Sequence, residues 1–99
     1  MITEIVQVQV KPGTEKDYEA AVARATRLPA AKGNHGFELH RSIEKPHRYL
    51  LIAKWDTVGD HLAFRASDGF AEWRFLVGPY FASPPEVEHT ETVVSTNVK

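Results

Sequence analysis

The sequence predicts an α+β fold of the split βαβ type, with a four-stranded antiparallel sheet and its helices on one face. Three observations carry that prediction. Segments that alternate apolar and polar residues are interleaved with segments of helical spacing, in the order β-α-β-β-α-β. A Thr-x-x-Asp helix-start signal occurs twice, at Thr14-x-x-Asp17 and Thr57-x-x-Asp60. Two strand-like runs in the middle of the chain are separated only by Glu44-Lys45-Pro46-His47, which reads as a turn and makes them a hairpin.

The first strand is expected over Ile2 to Val10, with Ile2, Val6, Val8 and Val10 on one face and Thr3, Ile5, Gln7 and Gln9 on the other. Lys11-Pro12-Gly13 ends it. The helix after Thr14 carries Glu15, Asp17 and Glu19 early and Arg24 and Arg27 late, which suits its macrodipole. Its apolar stripe is Tyr18, Ala21, Val22, Ala25 and Leu28, and Pro29 to Gly36 is expected as a loop. Phe37 to Ile43 alternates again, with Phe37, Leu39, Arg41 and Ile43 opposite Glu38, His40 and Ser42. The return strand, Arg48 to Trp55, is apolar on both faces: Tyr49, Leu51, Ala53 and Trp55 on one, Leu50 and Ile52 on the other. A strand of that kind needs cover on both sides. The chain's own helices can cover one. The other face predicts a homodimer, sheet against sheet.

Thr57 starts a second helix that breaks in two, and Ser67-Asp68 caps its second half, which ends near Gly78-Pro79. At helical spacing Val58, His61, Leu62 and Arg65 share one face, and Phe70, Trp73, Arg74 and Val77 share the equivalent face of the next segment. Glu86 to Val94 is the expected closing strand, and Ser95 to Lys99 a frayed tail or a short arm over the partner.

Composition removes several function classes. Ninety-nine residues make one domain over 1–99, and 42% hydrophobic with 25% charged residues is ordinary for a globular protein. A formal charge of −1 argues against nucleic acid or an anionic membrane as partner. No run of about 18 apolar residues is present. The N-terminus shows no basic stretch followed by an apolar core, so a cytoplasmic protein is expected. Without cysteine there is no disulfide, thiolate ligand or cysteine nucleophile. Ser42, Ser67 and Ser83 lack a nucleophile elbow, and no glycine-rich phosphate loop points to a nucleotide cofactor. His35, His40 and His47 are scattered, and His89-x-Glu91 is the one pair resembling part of a metal site; no metal is expected.

The order of several short motifs carries more information than any of them alone. They are Lys11-Pro12-Gly13-Thr14, then Arg41-Ser42-x-Glu44-x-Pro46-x-Arg48-Tyr49, and Trp55-Asp56. The block His61-x-x-Phe64-Arg65-x-Ser67-x-x-Phe70-x-x-Trp73-Arg74 follows, and Pro85-x-Val87-x-His89 completes the set. With these residues the chain resembles the antibiotic biosynthesis monooxygenase (ABM) domain family of the dimeric α+β barrel superfamily. That resemblance implies a ferredoxin-like βαββαβ subunit, a homodimer whose two sheets form a barrel, and a pocket between sheet and helices. It also implies a range of activities, from oxidation of aromatic compounds by molecular oxygen without metal or flavin to haem degradation. Haem-degrading relatives use an Asn in the first strand with a Trp and a His in the helical region. Those positions fall near Val6, Phe64 and Arg74, so the comparison argues against that activity.

Among the residues themselves, His61 is the candidate for proton transfer, because imidazole titrates near neutrality. Arg65, one turn on, is placed to stabilise the resulting anion. The bland alternative makes His61 a helix-edge residue bonded to water or to a nearby polar side chain. Trp73 and Phe70 are candidates for a wall that stacks on an aromatic ligand, or are plain core. His89 faces either the pocket or an interface, and Tyr49 and Tyr80 offer phenolic donors to a substrate or to the structure. The expected function is a cofactor-independent monooxygenase acting on a small aromatic or quinone-like compound. The alternative is a non-catalytic, stress-associated dimer that holds an apolar ligand in the same cavity.

Overall fold

Strand β1 (Ile2–Gln9) lies inside the sheet because both of its edges are paired. It runs antiparallel to β3 (Arg48–Trp55) on one side and β4 (Glu86–Thr90) on the other, and β2 (Asn34–Arg41) closes the outer edge of β3. The resulting order, β2-β3-β1-β4, is that of the split βαβ fold. These elements belong to a computed structural model that describes residues 1–96. The tail expected over Ser95 to Lys99 lies outside the described residues from position 97 onward.

Register decides which side chains face the helices. Glu4 stands opposite Ala53 and His89, Val6 opposite Leu51 and Val87, and Val8 opposite Tyr49. This face is covered by α1 (Glu15–Ala25), α2 (Val58–Arg65) and α3 (Asp68–Val77), and a 3₁₀ turn at Gly78–Tyr80 follows α3. Helix α1 buries Tyr18, Ala21, Val22 and Ala25, four of the five residues of its predicted stripe. The fifth, Leu28, lies beyond the helix end and is half-buried. Val8, Val10, Tyr18, Val22, Tyr49 and Val77 form the densest part of the core. On the opposite face Ile5 pairs with Ile52 and Gln7 with Leu50, and no helix among the described residues covers them.

Thr57 and Ser67 cap α2 and α3 as the sequence predicts, each accepting a backbone N–H three residues on, from Asp60 and Phe70. Thr14 does not. Its hydroxyl donates back to the Lys11 carbonyl, and the Glu15 carboxylate instead accepts from the Gly13 N–H. Strand limits also differ from the period-2 reading. Strand β2 begins at Asn34, where a register irregularity before Phe37 hides the strand from an alternation count. Gly36, at φ +99°, takes up the distortion. Strand β2 stops at Arg41, leaving Ile43 exposed in the turn. Strand β4 stops at Thr90 because its partner β1 has only one residue left beyond Thr3, so Val93 and Val94 are exposed. No helix among the described residues is long and apolar enough to cross a membrane.

Candidate active site

The covered face of the sheet does not pack solidly against the helices. Between them lies a cavity of about 1180 Å³, walled by sheet residues such as Val6, Phe37 and Leu51 and by α2 and α3. Its one acidic sheet residue is Glu4, which stands in the same phase of β1 as Ile2, Val6 and Val8. Glu4 is buried, and so is His61.

Three elements bring partners to this carboxylate. Strand β3 places Trp55, whose Nε1–H donates to Glu4 Oε1 at 2.9 Å. Strand β4 places His89 directly across the ladder from Glu4. Helix α2, anchored by its Thr57 cap, places His61 with Nε2 at 3.3 Å from Glu4 Oε2. The other ring nitrogen, His61 Nδ1, is hydrogen-bonded to His89 Nε2 at 2.7 Å. The imidazole also lies 5.0 Å from the Trp55 ring, tilted by 34°.

Burial pushes the Glu4 carboxyl above its ordinary range, and the Trp55 hydrogen bond and the charges of His89 and Arg65 pull it partly back. Burial acts oppositely on the imidazole. With the positive charges of His89 and Arg65 it pushes His61 down to about 4, so the ring is neutral at pH 7. The three side chains do not converge on a common point, since His61 presents one nitrogen to each partner. Among the described residues no cluster of His, Asp and Glu has metal-holding geometry.

Around this polar corner runs an arc of aromatic rings. Phe64 sits 5.7 Å from Trp55 and meets Phe70 edge-on at 5.7 Å, and the Arg74 guanidinium lies over Phe70 at 5.8 Å. Trp73 meets Phe37 edge-on at 5.7 Å. The cavity is therefore apolar and aromatic over most of its wall, with polar groups confined to a few points. Binding sites for small organic molecules have this make-up.

His61, Arg65, Phe70 and Trp73 all line this one cavity. His89 is not a wall residue and joins the group through its bond to His61. Tyr49 lies elsewhere: its ring is buried against Tyr18, and its hydroxyl donates to Glu19 Oε2 at 2.6 Å. Tyr80 likewise packs on Tyr18. His61 is buried rather than at the helix edge, its partners are polar side chains as the bland reading allowed, and the expected α2 face does not hold. His61 is 3% exposed, whereas Leu62 is 51% exposed and Phe64 turns toward Trp55 and Phe70. Ring surfaces on those two neighbours decide the rotation of this eight-residue helix. Sequence reasoning passed over Glu4. Its signal was an acid at an inward position of an otherwise apolar strand face.

The profile of the antibiotic biosynthesis monooxygenase family matches residues 1–74. The chain belongs to that family. A Bordetella bronchiseptica crystal structure assigned to the antibiotic biosynthesis monooxygenases is 50% identical and superposes with a TM-score of 0.89, covering 94% of this chain and 97% of that one. The Bacillus subtilis (strain 168) protein YczJ is 33% identical over 97 residues, covering 94% of this chain and all of its own. A Nitrosomonas europaea structure, 23% identical with a TM-score of 0.74, covers 95% of this chain and all of its own and shares the fold. The family match includes Glu4, Trp55, His61 and Arg65, while His89 lies beyond it.

Proposed function

We propose that this ABM-family protein oxidises a small aromatic, phenol- or hydroquinone-like molecule with molecular oxygen, as a monooxygenase whose electrons come from the substrate itself. The observation that supports this reading best is the buried Glu4–His61 pair in the wall of a largely apolar, aromatic cavity. A cavity of about 1180 Å³ has room for a fused-ring ligand. Trp73 and Phe70 offer ring faces for it. Removing a phenolic proton gives an electron-rich anion, and the nearby Arg65 charge favours that anion. For a hydroquinone the balance closes without another reductant. One oxygen atom enters the ring, the other leaves as water, and the ring departs as a hydroxyquinone. A cytoplasmic setting suits a cysteine-free chain.

Oxygen uptake with a panel of hydroquinones and fused-ring phenols tests the reading. The wild-type protein is expected to consume oxygen with at least one of them, and His61→Ala to lose on the order of tenfold or more. Tight binding across the panel with no uptake would instead establish the ligand-holding reading.

We also propose that two copies associate through the face carrying Ile5, Leu50 and Ile52, which the helices among the described residues leave uncovered. Ile52→Glu is expected to give a monomer by sedimentation at concentrations where the wild type is a dimer. A wild-type protein that sediments as a monomer at every concentration sinks the proposal.

A further inference from the structure

We propose that Glu4, rather than His61, is the group that accepts the proton of the bound phenol, and that His61 and His89 are positioning residues holding its carboxylate in place. The inference rests on the reading that the cavity takes an ionisable aromatic.

Lone pairs decide between the two groups. His61 has no free nitrogen: Nδ1 is hydrogen-bonded to His89 and Nε2 faces Glu4. To take a proton from a ligand it would have to break one of these contacts. A carboxylate offers about four acceptor positions. Glu4 uses one for the Trp55 N–H and directs another at His61, and it lines the cavity. It has acceptor capacity left at the wall; the imidazole does not.

Proton placement follows from the same contacts. With Glu4 ionised, His61 carries its hydrogen on Nε2, toward the carboxylate, and its Nδ1 accepts from His89 Nε2–H. His89 then donates to His61, and the His61 Nε2–H faces the Glu4 carboxylate at 3.3 Å. The titratable and charged groups facing Glu4 are His61 and Arg65 from α2 and His89 from β4, with the Trp55 N–H from β3. A carboxylate kept only to satisfy the indole would be a poor choice, because a neutral glutamine accepts the same hydrogen bond without a desolvated charge. The basicities agree with the assignment. Burial strengthens Glu4 as a base toward a phenol, and the same burial weakens His61.

The experiment has two arms. In the free protein, long-range ¹⁵N–¹H NMR reads the tautomer of His61. A proton on Nε2 and none on Nδ1 is expected, and the opposite tautomer overturns the assignment whatever happens in turnover. In Glu4→Gln, the amide oxygen can keep the Trp55 hydrogen bond while its NH₂ faces His61, so the ring is expected to switch to the Nδ1–H form. The second arm is kinetic. Using a hydroquinone that the wild type oxidises, Glu4→Gln should lower kcat by about 10²–10⁴-fold, with KM changed by less than about threefold. The acid limb of kcat/KM against pH should vanish in Glu4→Gln and only shift in His61→Gln. A limb that persists in Glu4→Gln, or a kcat within about threefold of wild type, overturns the proposal. Absence of turnover with every phenol defeats the functional reading instead, and the NMR arm still decides the proton placement.

Discussion

Tyr18→Ala is expected to cost about 3–5 kcal/mol of folding stability, the range for removing a large buried aromatic side chain. Tyr18 is 1% exposed, and it joins three parts of the fold. Its ring meets Tyr49 of β3 edge-on at 5.0 Å, and Tyr80 and Phe81 at 6.3 Å each. The alanine would leave α1 without its anchor to the sheet and to the segment after the 3₁₀ turn. Rigid neighbours on three sides limit how far the void can close, which places the cost toward the upper part of the range. Against a total stability of about 5–15 kcal/mol for a domain of this kind, the loss is a large fraction. Urea denaturation should show a lower midpoint with an unchanged slope. A loss below about 1 kcal/mol would mean that α1 is held by other contacts.

Acid stability is the second large effect, and it turns on His61. The unfolded chain protonates this imidazole at its ordinary value of 6.5, while the folded protein does so only near 4. Between those values the unfolded state binds more protons, so stability rises with pH through the window and falls as pH drops through it. At 1.36 kcal/mol per pKa unit the full effect is on the order of 3 kcal/mol. Glu4 acts with the opposite sign. Its raised pKa lets the folded state take up a proton before the unfolded state does, so its contribution is present at low pH and lost as pH rises. The histidine therefore steepens the acid limb and the glutamate flattens it. His61→Gln is expected to remove much of the decline between pH 6.5 and about 4 relative to wild type, as followed by urea midpoints at stepped pH. Parallel acid limbs in the two proteins would show that the imidazole does not resist protonation in the folded state.

Much of the fold was legible because it is written in local periodicity. The alternation of β1, the two-faced apolar run of β3, the α1 stripe ending in Ala25 and the Thr57 and Ser67 caps all depend on residues near one another in sequence. Misplaced limits have non-local causes. The extra residues at the start of β2 pair with β3 through a register irregularity, and the early end of β4 reflects the length of β1. Tyr49 was a reasonable candidate donor by type, but Glu19, thirty residues away, takes up its hydroxyl.

The site shows the same division. By itself the sequence determined the family, the βαββαβ order and the aromatic and basic character of the Trp55–Arg74 stretch, because motifs and spacing are properties of the chain. Only the tertiary structure decided that Glu4, at the far end of the sequence, is the acid of that stretch. Cross-strand register sets Glu4 opposite His89, and the packing of α2 on Trp55 turns His61 toward both. Desolvation then gives these ordinary residue types their altered acidities, and desolvation exists only once the sheet and helices have closed around them.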